Sequence, residues 1–264
     1  MQRTAAIPRP KTSKTRRMYI MQLVIRCVIL AACILVVIFD PQQMEILEGW
    51  NFFRKFSPFH LLWLSWMLDM LWQLVPVKKR IVIALGSQKH FRFRFEPIKE
   101  AFSTQALRRH IIETTKAAYK VFGIWAVIVA VVSLLRTFDV LDDTALLMIT
   151  MVFYVCDLIC VLIWCPFRLI VKAKCCTTCR IFNWDHLMMF SPMLMVSGFY
   201  SRTLVLMAFA DWLLWELCIM MYPERFWENS NAALRCTNCT DKLCTQYCGK
   251  NNPQTNAMSP TDKK

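Results

Sequence analysis

Long, uninterrupted runs of apolar residues constrain the fold of this chain more than any other feature. A soluble domain would place a charge every few residues, whereas a helix that crosses a bilayer needs about 20 apolar residues. Because 56% of all residues are hydrophobic, we predict an all-α membrane protein, a helical bundle of six spans. The predicted spans are residues 18–39, 58–77, 121–135, 145–167, 187–200 and 203–222.

The number of crossings has one open alternative. The third and fifth runs are short, and the fifth contains Pro192 and Gly198. The fifth and sixth runs together could form one re-entrant hairpin, which would leave the C-terminal tail on the same side. The first run is interrupted by Arg26 and continues past Cys33, so we predict an uncleaved first helix.

Lysine and arginine predict the orientation. Of the 32 such residues, 27 fall in four segments that alternation of the spans puts on one side. Loops on the cytoplasmic side carry an excess of these residues, so we predict a multi-pass plasma-membrane protein with both termini in the cytoplasm. The four segments are a basic N-terminus (1–17), an insertion (78–120), a cysteine-rich loop (168–186) and a cysteine-rich tail (223–264). The paired spans between them occupy 18–77, 121–167 and 187–222.

The net charge of +14 raises the question of a nucleic-acid partner. The basic residues flank apolar runs and no motif for reading bases is present, so we expect no nucleic acid and predict an anionic inner leaflet as the partner.

The cytoplasmic insertion has its own predicted structure. Residues 80–85 are apolar and β-branched, residues 86–87 suggest a turn, and residues 90–95 alternate between apolar and basic or polar side chains. This pattern predicts a small β-hairpin, followed by a helix from Pro97 to Lys120. Two arginines would share one face of the hairpin and either contact anionic lipid or phosphate, or stay solvated near the headgroups. They are Arg92 and Arg94.

Two cysteine pairs suggest a metal site. Cys176 and Cys179 lie in the loop, Cys236 and Cys239 lie in the tail, and each pair is separated by two residues. Two pairs of this spacing can supply the four sulfurs of a tetrahedral site, so our first interpretation is a structural Zn²⁺ that joins loop and tail.

Spare thiols keep other interpretations open. With three further cysteines nearby, an iron–sulfur cluster is the second possibility, and the tail alone has enough cysteines for four ligands. Disulfides or thiols without metal are the third possibility, and they would be favoured if the topology were inverted. The spare cysteines are Cys175, Cys244 and Cys248.

The cysteine loop also carries a resemblance. The sequence Cys-Cys-Thr-Thr-Cys-Arg-Ile-Phe-Asn-Trp-Asp at 175–185 resembles a group of bacterial polytopic membrane proteins of unassigned function. The similarity covers roughly residues 155–245. Because no activity is attached to that group, the resemblance implies only a membrane protein with a cysteine-rich inner face.

Charged residues near the middle of four runs are the second functional signal. Placing one such charge at the bilayer centre costs about 2.5–3.5 kcal/mol, so we expect these residues to face the bundle interior and to pair. They are Arg26, Asp69, Asp157 and Asp211, with Glu216 deeper in the last run on another face.

One arginine cannot balance three aspartates, so at least one carboxylate should be protonated, bind a cation or meet water. The residues could form a proton or cation relay, or they could fix helix register by hydrogen bonding.

The motifs that are missing narrow the function classes. No Gly-rich phosphate loop, zinc-protease motif or nucleophile elbow is present, which argues against ATP-driven transport and the common hydrolases. Our first hypothesis is a non-catalytic membrane component in transport, redox chemistry or assembly, organised by the thiolate metal site. The alternatives are an iron–sulfur electron-transfer subunit that works with a quinone or a membrane-protein partner, and a secondary transporter or channel that uses the central carboxylates.

Overall fold

A computed structural model describes residues 13–75, 88–98, 103–239 without 172 and 174, and residue 243. These residues form seven α-helices, which are joined mainly by short 3₁₀ turns. The helices are α1 (Lys14–Phe39), α2 (Phe59–Leu74), α3 (Thr104–Thr137), α4 (Asp143–Leu162), α5 (Arg168–Val171), α6 (Asp185–Phe190) and α7 (Phe199–Met221).

Four helices, α1, α3, α4 and α7, are long and apolar enough to cross a membrane. Large apolar side chains on the outer faces of α1 and α3 are more than half exposed, among them Val28, Ile38 and Val127. A helix that is apolar all round needs either a protein core or lipid around it. The architecture is therefore consistent with a membrane protein.

The prediction of six spans is wrong, since the described residues contain four candidates. The second predicted span becomes α2, which has 16 residues. At 1.5 Å per residue this helix is about 24 Å long, short of the roughly 30 Å hydrocarbon core.

The fifth predicted span does not form a continuous helix. The chain makes the short helix α6, a 3₁₀ turn at Ser191–Met195, and then begins α7 at Phe199. Pro192 lies at the start of the turn, where it cannot donate a helical hydrogen bond. A Cβ on Gly198 would collide with the Leu47 carbonyl, so only glycine permits this close approach of the chain. The break brings α6 back into the bundle.

Two other boundaries differ from the predictions. The predicted inner helix and the third span form one continuous helix of 34 residues, α3. Helix α4 ends at Leu162 instead of continuing to residue 167. Pro166 disfavours helical geometry at Cys165, which accounts for an end before the predicted limit.

The predicted β-hairpin is also wrong where it can be compared. Residues 80–85 lie outside the described part of the chain. Residues 90–95 form no strand, and Arg92–Arg94 is a 3₁₀ turn. Phe91 packs against Trp215 with ring centroids 5.4 Å apart, whereas Phe93 is about half exposed. A strand with period-two alternation would put these phenylalanines on one face, but in the structure they do not pack together against one surface.

The main core lies where α2, α4, α6 and α7 meet. Trp66 is fully buried at its centre and makes edge-to-face contacts with Tyr154 and Phe190, at 5.7 and 5.2 Å between ring centroids. Such aromatic pairs stabilise packing beyond their buried area. The broken segment around α6 is thus fixed against the long helices, next to the charged residues described below.

Candidate functional site

Arg26 on α1 joins two helices through their acidic residues. Its Nη1 donates to Asp157 Oδ2 at 2.9 Å and to the Tyr154 carbonyl at 2.7 Å, and its Nη2 lies 3.6 Å from Asp69 Oδ2. The guanidinium also stacks on the Tyr154 ring, 3.9 Å from the centroid. The Arg26 side chain is 12% exposed, so these contacts replace most of its water.

His186 on α6 lies among three carboxylates. Its Nε2 is 3.5 Å from Asp69 Oδ2, and its Nδ1 is 3.3 Å from Asp185 Oδ1 and 3.5 Å from Asp211 Oδ2. Gln73 on α2 donates to the other Asp185 oxygen at 3.1 Å. We call the following six residues the buried charge network: Arg26, Asp69, Asp157, Asp185, His186 and Asp211.

The electrostatic surroundings favour a charged imidazole. Burial lowers the pKa of His186, but the nearby carboxylates, above all Asp185, raise it more strongly. The result is a pKa well above the usual 6.5. His186 therefore acts as the second cation of the buried charge network at neutral pH.

Asp211 on α7 is the most buried acid of the network. Its side chain is 1% exposed, and among the described residues neither carboxylate oxygen has a hydrogen-bond partner at normal distance. The nearest charged atom is His186 Nδ1. A carboxylate this poorly solvated is costly if it stays ionised, so a proton is the simplest means of satisfying it.

Glu216, which we predicted as an intramembrane acid on another face, belongs to a separate contact. It accepts two hydrogen bonds from Arg180, at 2.8 and 2.6 Å, and one from Trp184 Nε1 at 2.7 Å. A bidentate pair of this kind is strong and directional. It anchors the cysteine loop to α7 instead of contributing to the buried charge network.

The loop thiols are partly buried. Cys176 begins a 3₁₀ turn that ends before Cys179, and Cys175 Sγ lies 3.2 Å from Thr177 Oγ1. Burial raises the pKa of both Cys176 and Cys179. They are therefore neutral thiols in this state, and a metal ion would have to displace their protons.

The tail cysteines are not assembled with them. Cys236 begins a separate 3₁₀ turn, and Cys239 directly follows its last residue. Within the described residues, no group of three or more potential ligands is arranged to hold a metal ion. Cys244 and Cys248 lie outside the described residues, so the shared site remains a prediction.

Six cysteines nevertheless line one cavity of about 260 Å³ between the end of α4, the loop and α6. Its aromatic and thioether walls include Trp125, Phe153 and Met189, and Asp157 and Asp185 of the buried charge network face it too. We call this space the thiol cavity. Its cysteines are Cys156, Cys160, Cys165, Cys175, Cys176 and Cys179.

The predicted lipid-contacting arginines lie apart from both features. Arg92 is exposed, and the Arg94 guanidinium lies 5.6 Å from the Phe93 ring centroid. Their contact with lipid or phosphate remains a prediction.

Sequence analysis placed neither Asp185 nor His186 among the intramembrane charges. The available signal was an adjacent acid and histidine directly before a short, proline-containing run. If that run does not cross the bilayer, the pair before it can fold inside the bundle.

No protein-family model matches this chain, and neither a curated protein nor a solved structure matches it.

Proposed function

We propose that this is a multi-pass membrane protein that conducts protons through the buried charge network. The observation that carries the proposal is His186 within 3.5 Å of three carboxylates, in a bundle with four helices suited to crossing a membrane.

The charge balance supports this function. Four aspartates face two cations, Arg26 and a protonated His186, so full ionisation would leave two uncompensated negative charges. An uncompensated charge away from water is costly, which favours protons shared among the carboxylates. Histidine can accept a proton at one nitrogen and release it from the other, and its two nitrogens here face different acids.

The geometry also supports an entry path. Asp157 and Asp185 line the thiol cavity, whereas Asp211 lies 3.5 Å from His186 and is almost fully buried. A proton entering from the cavity can reach Asp185, pass to His186, and continue to Asp69 or Asp211. Each of these steps joins groups no more than 3.5 Å apart.

Proton flux into proteoliposomes tests the function. Purified protein is reconstituted with a trapped pH-sensitive dye, and a potassium diffusion potential drives protons inward. We expect a flux well above that of empty liposomes, and a loss of about tenfold or more in Asp185→Asn and in Asp211→Asn, since each removes a carboxylate on the proposed path.

Asp139→Asn is the matched control. Asp139 is exposed and has a φ of 55°, a conformation that asparagine also adopts readily. This variant should conduct like the wild type. A wild-type flux no greater than that of empty liposomes would overturn the proposal, and so would Asp185 and Asp211 variants that fold normally and conduct fully.

The orientation belongs to the same proposal. With most of the basic residues on one side, we assign the termini, the cysteine loop and the tail to the cytoplasm of the plasma membrane. Cys239 should then resist a membrane-impermeant maleimide in intact cells and react after permeabilisation. Labelling of Cys239 in intact cells would show that the assigned orientation is wrong.

A second candidate function, a thiolate metal site between loop and tail, has support from one contact. Leu243 in the tail packs near Tyr19 and Leu158 and lines a small cavity together with Cys175 and Cys176. The tail therefore approaches the loop immediately before Cys244 in sequence. This favours Zn²⁺, or an iron–sulfur cluster, held by loop and tail thiols together.

Elemental analysis after anaerobic purification tests the second candidate. Cys176→Ser and Cys236→Ser should each lose the same metal equivalent, whereas Cys27→Ser, on the exposed face of α1, should retain it. Retention of the metal in either of the first two variants would show that loop and tail do not share an ion.

A further inference from the structure

Two cysteines on the wall of the thiol cavity form a pair that the proton pathway does not use. The side chains of Cys160 and Cys165 are hydrogen-bonded to each other. Residues five apart do not share a face of a regular α-helix. Here α4 ends at Leu162, and the Trp164 amide donates to the Ile159 carbonyl at 3.1 Å, so a wider turn brings Cys165 back over Cys160.

Cys165 has the surroundings of a reactive thiolate. The backbone amides of Phe167 and Arg168 lie near its sulfur, where the Arg168 amide also donates to the Cys165 carbonyl at 3.3 Å, and the Arg168 charge is nearby. The hydrogen bond from Cys160 lowers the pKa of Cys165 most, the amides and Arg168 add to this, and burial opposes them, which gives a pKa of about 6. The lowered pKa favours the thiolate of Cys165 beside the Cys160 thiol, an arrangement that suits a dithiol that exchanges electrons.

The cavity beside the pair suits one flat ring. Its volume of about 260 Å³ is near the roughly 300 Å³ lower limit of ligand pockets. Trp125 lies 5.0 Å from Phe153 and 6.4 Å from Phe167 between ring centroids, which gives the cavity an aromatic wall. Asp157 and Asp185 lie on the lining and can accept hydrogen bonds from the two hydroxyls of a reduced quinone. An apolar aromatic ligand with two polar oxygens matches this combination.

We propose that the thiol cavity binds a quinone-class ligand and that Cys160 and Cys165 reduce it. One S–S bond forms between the two residues, and the quinone receives two electrons. The proton of the Cys160 thiol passes to the quinone. A second proton, equivalent to the one that Cys165 had released to solvent, completes the hydroquinone. This activity does not depend on proton conduction across the membrane.

Anaerobic reaction with duroquinone tests the proposal. All ring positions of this quinone are substituted, so it does not add to thiols as unsubstituted quinones do. The reduced full-length protein should convert about one duroquinone per chain, because one dithiol supplies two electrons. Peptide mass spectrometry should then find a Cys160–Cys165 disulfide.

Single substitutions assign the reaction to the pair. Cys160→Ser and Cys165→Ser should each lose the equivalent of hydroquinone, whereas Cys27→Ser should retain it. Unchanged reduction in both of the first two variants would overturn the proposal, and so would a disulfide found only between other cysteines.

A cavity-filling substitution separates the ligand site from the thiols. Ala173 lines the cavity, so Ala173→Phe should block duroquinone. The Cys160–Cys165 pair should still form a disulfide with a small oxidant such as diamide, which also reports that the variant is folded. We expect the duroquinone reaction to slow by about tenfold or more because access to the thiolate is lost. If this variant reduces duroquinone at the wild-type rate, the ring does not occupy the thiol cavity.

Discussion

The buried charge network and the cysteine-rich loop and tail differ in how their side chains are brought together. The network joins α1, α2, α4, α6 and α7, and each of its members lies within 3.6 Å of an opposite charge. The loop is held to α7 mainly through Arg180 and Glu216, and its thiols surround a cavity. The charged groups of the network thus stabilise one another in place of water, whereas the thiols line a cavity that can hold a ligand.

This difference has a general lesson about polar residues in apolar bundles. A buried charge must be neutralised within the protein, so its partners are built into the fold. A thiol is close to neutral in energy when buried and needs no partner. Buried charges that come together therefore indicate both how the helices pack and where protons can be held. Thiols that come together indicate a functional site only where they line a cavity or where their pKa values are shifted.

The largest expected effect comes from removing the arginine at the centre of the network. Arg26→Met leaves Asp69 and Asp157 without their shared cation, and breaking a buried pair costs about 3–5 kcal/mol. Because both aspartates keep about a quarter of their exposure, we expect the lower end of that range. Denaturant unfolding in detergent measures the loss.

The control for this prediction is Arg136→Gln. Arg136 pairs with Asp143 at 2.7 Å but is 32% exposed, so its loss should cost about 1 kcal/mol or less. If the two variants are equally stable, the charges of the network contribute no more to stability than the peripheral charges do.

An intermediate effect is expected at the anchor of the loop. Glu216→Gln weakens the bidentate contact with Arg180, and hydrogen bonds to charged groups contribute about 1.5–3 kcal/mol. The loop should loosen, so maleimide should react faster with Cys176 and Cys179. Labelling rates followed by mass spectrometry measure this change. If labelling is unchanged while Cys218, elsewhere on α7, also keeps its rate, the anchor does not control the loop.

The smallest expected effect is one of pH, because only one proton changes and no side chain is removed. The folded-state pKa of His186 lies above 6.5, its usual value. Its stabilising contribution is therefore complete below about pH 6.5 and is lost as pH rises through the raised pKa.

The difference in unfolding free energy between the wild type and His186→Gln should accordingly shrink from mildly acidic to alkaline pH. Unfolding curves at several pH values measure it. A difference that grows with pH would mean that the imidazole is neutral in the folded protein.

Part of the network could be predicted from the sequence. Arg26, Asp69, Asp157 and Asp211 interrupt apolar runs, and the high cost of a charge in lipid leaves inward pairing as the expected outcome. Asp185 and His186 could not be placed in the same way. Their position depends on whether the next run crosses the bilayer, and hydropathy alone does not distinguish a span from a buried broken helix.

For the thiols, the spacing in the sequence and the contact in the structure involve different cysteines. The spacing of Cys176 and Cys179 is conspicuous, whereas Cys160 and Cys165 fall inside and just beyond an apolar run. Their contact depends on the early end of α4 and on the reversal before Pro166, which are tertiary details. The hairpin prediction failed for a related reason, because the alternating residues 90–95 pack individually on their surroundings.

Infrared difference spectroscopy of protonated carboxyl groups tests the central claim most directly. If the buried charge network shares protons among its aspartates, the wild type at neutral pH shows a protonated carboxyl band that Asp211→Asn removes or reduces and Asp139→Asn leaves unchanged. If the wild type shows no such band at neutral pH, all its carboxylates are ionised and the network holds no proton to conduct.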